Sequence, residues 1–403
     1  MVIQKKILFI SIAWPKRGQA NLYTDLMEEF VAQGHDVFVV GTKDADLKMG
    51  SDLSKERGMK VVRVASGQIR KASYLRKIRS LIVLGTKMKK AINKHYSQYN
   101  FDLIIGPTPP ITLSYLYKSL KKKYNSPFYL LLKDIWPQGS VDLKVFRKYS
   151  LPWFFFRSHE KRIYKEADFI GCMSPKGAKY VISNNGYIEP SKVEVCPNSI
   201  RPKEKHVVIA NNDIRQKYNI PSDACVFLFS GNLGIGHGLH FIVDTLKKLL
   251  DYPKAYFVIG GSGTQYNYLE NELNKLQLKN ALLYSWLPRE DYEQILQTSD
   301  VGLIFLYRYT SPQFPSRLLS YLEYAKPVLC AVNKETDIGE IVTDYGCGRS
   351  VIHGEMADFI KEIKFFSENS DEREQMGEKG RQLLLERYTV KHSYDIIMKH
   401  LNA

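Results

Sequence analysis

At 403 residues the chain is longer than one hydrophobic core usually covers, so two domains of about 200 residues each are expected. Apolar content of 44%, 25% charged residues and no low-complexity tract exclude a disordered or fibrous protein. The net charge of +16 is uneven: residues 1–200 hold 34 Lys and Arg against 16 Asp and Glu, and the rest of the chain holds 24 against 26. An excess confined to one half points to an anionic partner, whether nucleic acid, an anionic membrane surface or a phosphorylated substrate; a basic surface that merely serves solubility is the plainer reading.

The first apolar run, Lys6 to Ser11, follows Met1 to Gln4 directly, is too short for a signal peptide and reads as a buried strand. Asn21 to Gln33 reads as an amphipathic helix and Asp36 to Gly41 as the strand that completes a βαβ unit. Short apolar strands follow at Val61 to Val64, Asp102 to Gly106, Phe128 to Leu132, Phe169 to Met173 and Val193 to Cys196, most of them separated by helix-length segments. The polar stretch Asn198 to Asn212 is the best linker, with the boundary near residue 205. The alternation then restarts, with strands at Val226 to Ser230, Ala255 to Ile259, Ala281 to Tyr284, Val301 to Leu306 and Pro327 to Ala331. Both halves therefore predict a parallel sheet with helices on both faces. Five scattered cysteines without a C-x-x-C suggest neither a disulfide framework nor a zinc cluster and fit a reducing cytoplasm; no apolar run is long enough for a transmembrane helix.

In the second half, Phe227-Leu228-Phe229-Ser230 runs into Gly231-Asn232-Leu233-Gly234-Ile235-Gly236-His237-Gly238 and then a helix from Leu239 to Leu250. Strand, glycine-dense turn and helix start make an anion cradle, because glycines admit close backbone approach and the free N–H groups face the anion. The alternative is a tight turn with no ligand. Gly260-Gly261-Ser262-Gly263 leaves another strand on the same sheet edge, where open α/β folds bind ligands, but lacks the third glycine of a dinucleotide fingerprint and by itself reads equally as a flexible turn. In Pro315-Ser316-Arg317-Leu318, Ser316 is expected to cap a short helix, so that the N–H groups of Arg317 and Leu318 and the Arg317 guanidinium grip an anion. Ser320 and Glu323, further along the helix, are expected on the sugar side of a nucleotide. The plainer reading makes Ser316 only a cap and Arg317 a surface charge.

These segments, with Ala167-Asp168-Phe169-Ile170, Val195-Cys196-Pro197-Asn198-Ser199, Trp286-Leu287-Pro288, Ser299-Asp300-Val301-Gly302-Leu303 and Ala325-Lys326-Pro327-Val328, resemble the retaining glycosyltransferase family 4 of the GT-B fold over nearly the whole chain. Asp134-Ile135-Trp136-Pro137 and the Gly-Asn-Leu-Gly turn resemble the branch that transfers fucose-type or N-acetylated deoxysugars in bacterial surface-polysaccharide synthesis. The resemblance implies two Rossmann-like domains facing each other across a cleft: an acceptor domain over 1–204, a nucleotide-sugar domain over 205–386 and a terminal segment, 387–403, that returns to the first domain. It implies transfer from a nucleotide diphosphate donor, UDP favoured over GDP, with retention and with no protein nucleophile. The implied donor contacts are Gly18, Gly231, Asn232, Gly234, Gly238, Gly263, Trp286, Leu287, Pro315, Ser316, Leu318, Ser320 and Glu323. The family's two glutamates fall here at Pro312 and Ser320, and its Arg and Lys on the diphosphate at Asn232 and His237, so Arg317, His237 and backbone N–H groups are expected to carry the diphosphate charge. With those groups in place of a divalent cation, metal independence is expected, with no cofactor beyond the nucleotide sugar.

On the acceptor side, Trp14-Pro15-Lys16-Arg17-Gly18-Gln19 is expected to line the cleft, and Asp134 to contact the acceptor or sugar; a helix cap is the alternative for Asp134. Lys71 to Lys94 is striped, with Leu75, Ile78, Ile82, Met88 and Ile92 at helical spacing amid Lys71, Arg76, Lys77, Arg79, Lys87, Lys89, Lys90 and Lys94. It reads as a membrane-surface helix or as a core helix with a solvated basic face. Phe146 to Arg157 interleaves aromatics with cations as interfacial segments do. Together these imply a cytoplasmic enzyme held peripherally on the inner, anionic face of the membrane and acting on a polyprenyl-diphosphate-linked saccharide. The alternatives are a sugar-nucleotide epimerase of the same fold or a non-catalytic GT-B binding subunit. A nucleic-acid binder lacks a supporting motif, and a dehydrogenase lacks the early G-x-G-x-x-G.

Overall fold

The computed structural model describes residues 3–43, 49–67, 74–204, 212–307 and 309–401, in two compact units: Met1–Arg201 with Val390–Ala403, and Pro202–Thr389. Lys71 and part of the expected linker, 205–211, lie outside the described residues, as do the side chains of Leu75, Arg76, Lys77, Ile78, Arg79 and Ile82.

The first unit holds an eight-stranded sheet of β1 (Lys6–Ile10), β2 (Asp36–Lys43), β3 (Asp52–Glu56), β4 (Met59–Ala65), β5 (Leu103–Thr108), β6 (Phe128–Leu132), β7 (Phe169–Cys172) and β8 (Val193–Val195), in the order β3-β4-β2-β1-β5-β6-β7-β8. All neighbours are parallel except β3, which pairs antiparallel with β4. The sequence reading missed β3 because Asp-Leu-Ser-Lys-Glu has no apolar run: as an edge strand it leaves alternate side chains in solvent. The helices are α1 (Leu22–Ala32), α2 (Tyr74–His95), α3 (Ser114–Tyr124), α4 (Gln138–Asp142), α5 (Leu151–Glu166) and α6 (Pro175–Asn184). Asn21 starts α1 through a capping box: its side chain accepts from the Thr24 N–H, and the Thr24 hydroxyl accepts from the Asn21 N–H at 2.8 Å.

Residues of β1 alternate between two cores. Leu8 and Ile10 meet Met88, Ile92 and Tyr117, while Ile7 and Phe9 meet Leu26, Phe30 and the C-terminal helix Val390–Met398. Tyr394 of that helix lies edge-on to Phe30, ring centroids 4.9 Å apart. His35 Nδ1 accepts from the Lys5 N–H, so its Nε2 carries the proton and donates to the Tyr394 hydroxyl at 2.8 Å. Met88 and Ile92 of α2 are fully buried while Lys89, Lys90 and Lys94 are exposed, so the described half of that stripe packs its apolar side into the core and presents a solvated basic face.

The second unit holds β9 (Cys225–Asn232), β10 (Ala255–Ser262), β11 (Ala281–Tyr284), β12 (Val301–Leu306), β13 (Val328–Val332) and β14 (Gly348–Ile352), all parallel, in the order β11-β10-β9-β12-β13-β14. Its helices are α7 (Asn212–Lys217), α8 (His240–Lys248), α9 (Tyr266–Lys275), α10 (Arg289–Thr298), α11 (Arg317–Glu323), α12 (Ile338–Asp344), α13 (Met356–Glu368) and α14 (Ser370–Arg387). The expected helix Leu239 to Leu250 is α8, preceded by a 3-10 turn over Ile235–His237 that ends at Gly238. Strand order is that of a doubly wound nucleotide-binding sheet, whose direction reverses between β9 and β12, so ligands belong at the carboxyl ends of those two strands. In the first unit the same reversal falls between β1 and β5.

Candidate active site

At the reversal point of the second sheet, β9 and β10 run past the apolar core into glycine. Gly231 pairs with Gly261, and Asn232 with Ser262. Gly231 and Gly261 have φ of +125° and +129°, and a Cβ on Gly261 would stand 1.8 Å from the Gly231 carbonyl oxygen. The Leu233 N–H donates to Ser262 O at 3.0 Å, and Gln265 N–H to Leu233 O at 2.9 Å. Gly260 to Ser262, expected as a turn, is therefore strand, and the two glycine segments make one close-packed floor. Gly263 belongs to it, since a Cβ there would lie 2.3 Å from Leu233 O.

Arg317 reaches over this floor. Its guanidinium carbon sits 4.1 Å from the Phe229 ring centroid, and one terminal nitrogen would be 3.2 Å from a Cβ on Gly231. The other, Nη1, is buried and makes no hydrogen bond among the described residues. A buried cationic donor without a partner is costly, and an anion on the glycine floor relieves that cost by a charge-assisted bond. Around it, the Tyr292 hydroxyl and Ser230 Oγ are 3.0 Å apart, and the buried Tyr321 donates to Leu228 O at 2.9 Å. The sequence reading missed Phe229, Tyr292 and Tyr321 as parts of this seat, since a strand aromatic and helix tyrosines carry no signal beyond core packing.

His237 packs edge-on to the same Phe229 ring, centroids 5.6 Å apart. Its Nδ1 lies 2.7 Å from Phe305 O; a carbonyl only accepts, so Nδ1 carries the proton and Nε2 holds a lone pair. Burial, reinforced by the Arg317 charge, lowers its pKa to about 4. The ring is neutral near pH 7, which corrects the expectation that it supplies positive charge: it is suited to accept a hydrogen bond from a hydroxyl. Gly238, at φ +61°, could carry no Cβ, because the His353 ring lies 2.7 Å from where it would sit. Gly234 begins the turn that follows the exposed Asn232 at the end of β9.

Two further expectations on α11 are corrected. Ser316 has helical backbone angles and makes no side-chain cap, and the Leu318 N–H is used by Pro315 O at 3.2 Å, so it does not face an anion. Glu323 lies at the opposite end of the sheet from Arg317: it lines a cavity with Asp300 and Pro327, which precede β12 and β13, and accepts from the Lys203 N–H at 2.9 Å. A seven-residue helix is about 10 Å long, so its last residue lies well toward the other end of the sheet from its first. Ser320 is half-buried one turn below Arg317. Trp286, 76% exposed, and the half-buried Leu287 follow the carboxyl end of β11.

In the first unit, Asp134 follows β6 and is exposed; Pro137, not Asp134, precedes α4, so the capping alternative is not what the chain uses. Trp14 is buried against Phe9 and Gly41 rather than lining a surface, while Gly18, at φ +79°, has open space around it. Trp136 stands edge-on to Phe146 and Phe156, and beyond them Tyr149, Leu151 and Phe154 are 65%, 86% and 54% exposed among the exposed Lys144, Arg147 and Lys148. Among the described residues no helix is long and apolar enough to cross a membrane.

Two doubly wound sheets, with a glycine floor under a buried arginine at the reversal point of the second, fit the GT-B class. The chain superposes on sucrose-phosphate synthase from Thermosynechococcus elongatus with a TM-score of 0.75 over 99% of both chains at 15% identity, a likeness of fold. Residues 16–204 match Glycosyltransferase Family 4 and residues 210–383 match Glycosyl transferases group 1, so the chain belongs to the GT-B glycosyltransferases with a family 4 domain followed by a group 1 domain. It is 23% identical over 250 residues to the probable glycosyltransferase WbjE of Pseudomonas aeruginosa, 61% of each chain. It is 28% identical over 124 residues to an Escherichia coli UDP-Gal:alpha-D-GlcNAc-diphosphoundecaprenol alpha-1,3-galactosyltransferase, 29% of this chain and 32% of that one. The chain thus spans less than two thirds of the length of these curated relatives.

Proposed function

We propose that this chain transfers a deoxy- or N-acetylated hexose from a UDP-sugar, in preference to a GDP-sugar, to a polyprenyl-diphosphate-linked saccharide in bacterial surface-polysaccharide synthesis, with retention of anomeric configuration. The observation that carries the reading is the buried, unbonded Arg317 Nη1 over the Gly231–Gly261 floor: a fixed cation awaiting an anion at the ligand edge of a nucleotide-binding sheet. The leaving diphosphate gains negative charge as the anomeric carbon becomes oxocarbenium-like, and a preorganised guanidinium stabilises that change without reorganising. A donor phosphate oxygen takes the acceptor hydroxyl's proton on the face from which the diphosphate departs. His237 Nε2 accepts from a sugar hydroxyl, and Asp134 contacts the acceptor. With Arg317 as the standing cation, transfer is metal-independent and survives chelation.

The E. coli relative's named UDP-Gal donor and diphosphoundecaprenol-linked substrate support the UDP and lipid choices. The exposed aromatics of Tyr149 to Phe155 with their flanking cations support a peripheral position on the anionic inner membrane face. The test is thermal stabilisation by UDP against GDP, followed by transfer from a panel of UDP-sugars to lipid-linked acceptors, with the product anomer read by NMR. Stabilisation by UDP with interconversion of the sugar and no acceptor would favour an epimerase; stabilisation with no turnover, a binding subunit.

A further inference from the structure

A groove of about 510 Å³ opens between α2, α3 and α5 of the first unit, walled by Gly85, Tyr115, Leu116, Phe155 and His159 with Lys89 at its rim. Its aromatic walls are continuous: His159 lies edge-on to Tyr115 at 5.7 Å and to Phe155 at 4.8 Å, and is held by Ser114 Oγ at 3.1 Å. Tyr115 is 58% exposed with the Arg162 guanidinium 4.0 Å above its ring, so large apolar surface is displayed there under a cation. One wall of the groove also packs, through the buried Phe156, against the loop that leaves β6. Phe155 adjoins Phe156, whose ring meets Trp136 of the loop leaving β6, and Thr112 and Tyr115 lie in the segment that leaves β5 at its carboxyl end.

Gly85 gives the groove its depth. It lies inside α2, where glycine costs about 1 kcal/mol relative to alanine. Packing does not require it: among the described residues a Cβ there would meet only Leu113 Cδ2 at 3.6 Å and Leu116 Cβ at 4.0 Å, ordinary contacts, and its φ is not in the left-handed region. What the missing side chain leaves is space.

We propose that this groove holds the proximal isoprenoid units of the lipid-linked acceptor, with Lys89 and Arg162 beside its anionic head. This rests on the reading of the chain as a transferase to a polyprenyl-diphosphate acceptor and assigns the part of the protein that binds the lipid rather than the sugar. Isoprene methyls suit ring faces and a Leu116 floor, and a diphosphate at the chain's end suits two cations at the rim.

The test is photolabelling of the full chain in detergent micelles with undecaprenyl diphosphate carrying a diazirine on its first isoprene units, followed by peptide mapping. Adducts are expected on 112–119 and 151–159. Gly85→Phe should lower them by about tenfold while the melting temperature stays within about 2 °C, and Gly85→Ala should leave them within about twofold. Adducts elsewhere, unchanged labelling of Gly85→Phe, or equal labelling of the groove by a diazirine phosphatidylcholine, which would make it a site for bilayer lipid, would each overturn the proposal. Because labelling needs neither donor nor turnover, groove labelling without stabilisation by any nucleotide would reject the transferase reading alone, and the converse the groove alone.

Discussion

The two sheets share a winding but arm their ligand edges in opposite ways. At the reversal point of the second unit, glycines pack against each other and a single arginine is buried with one nitrogen unbonded. The corresponding edge of the first unit displays rings and cations to solvent, from Tyr115 to Phe154. Bulk charge therefore misleads as a guide to chemistry. The strongly basic half carries an exposed basic surface, whereas the half with 24 basic and 26 acidic residues carries the buried guanidinium proposed to meet the donor diphosphate. One buried guanidinium outweighs many exposed lysines because water screens the latter.

The sharpest way to break this contrast is Arg317→Ala. Removing a preorganised charge from a transition state costs on the order of 10²- to 10³-fold, so kcat/KM should fall by that amount, with Arg317→Lys recovering less than about tenfold for want of the planar fork. An unchanged rate would move the anion seat elsewhere. The two kinds of glycine come next. Gly261→Ala forces a Cβ onto a carbonyl at a left-handed φ and should destabilise the second unit by about 3 kcal/mol or more in urea unfolding; Gly18→Ala, with left-handed φ but open space, should cost only about 1 kcal/mol.

Acid should also weaken the second unit. Burial lowers the pKa of His237 and of His353 to about 4, against an ordinary value of about 6.5. Between these values the unfolded chain binds protons that the folded unit refuses. Stability present above pH 6.5 is therefore lost as pH falls toward 4, by on the order of 2 kcal/mol per ring. His237→Gln should flatten that slope in denaturant titrations, and an unaltered slope would show the ring to be solvated. The smallest effect is on the first unit's surface: Leu151→Ser with Phe154→Ser should cut partition onto anionic vesicles by about tenfold and leave the melting temperature unchanged. Equal partition of the parent chain onto neutral and anionic vesicles would remove the surface claim altogether.

The sequence by itself determined the fold class. Runs such as Phe128 to Leu132 and Val301 to Leu306 are apolar at every position, which only a strand buried on both faces tolerates, and helical segments between them make the sheet parallel. It also marked Gly231 and Arg317, because glycine density after a strand and an arginine at a helix start have local chemical meaning. It could not see β3 or β14, edge strands whose side chains half face water and so lack an apolar run. Nor could it tell that Trp14 belongs to a core, that Ser316 leaves its helix uncapped, or that Glu323 ends up at the wrong edge of the sheet, since these depend on where a helix begins and how far it runs. The protonation of His237 and the isolation of Arg317 Nη1 were decided by the tertiary structure alone. A pKa and an unmet hydrogen bond are properties of what surrounds a group, and Phe229, Phe305 and Gly231 reach those groups only once the strands are laid side by side.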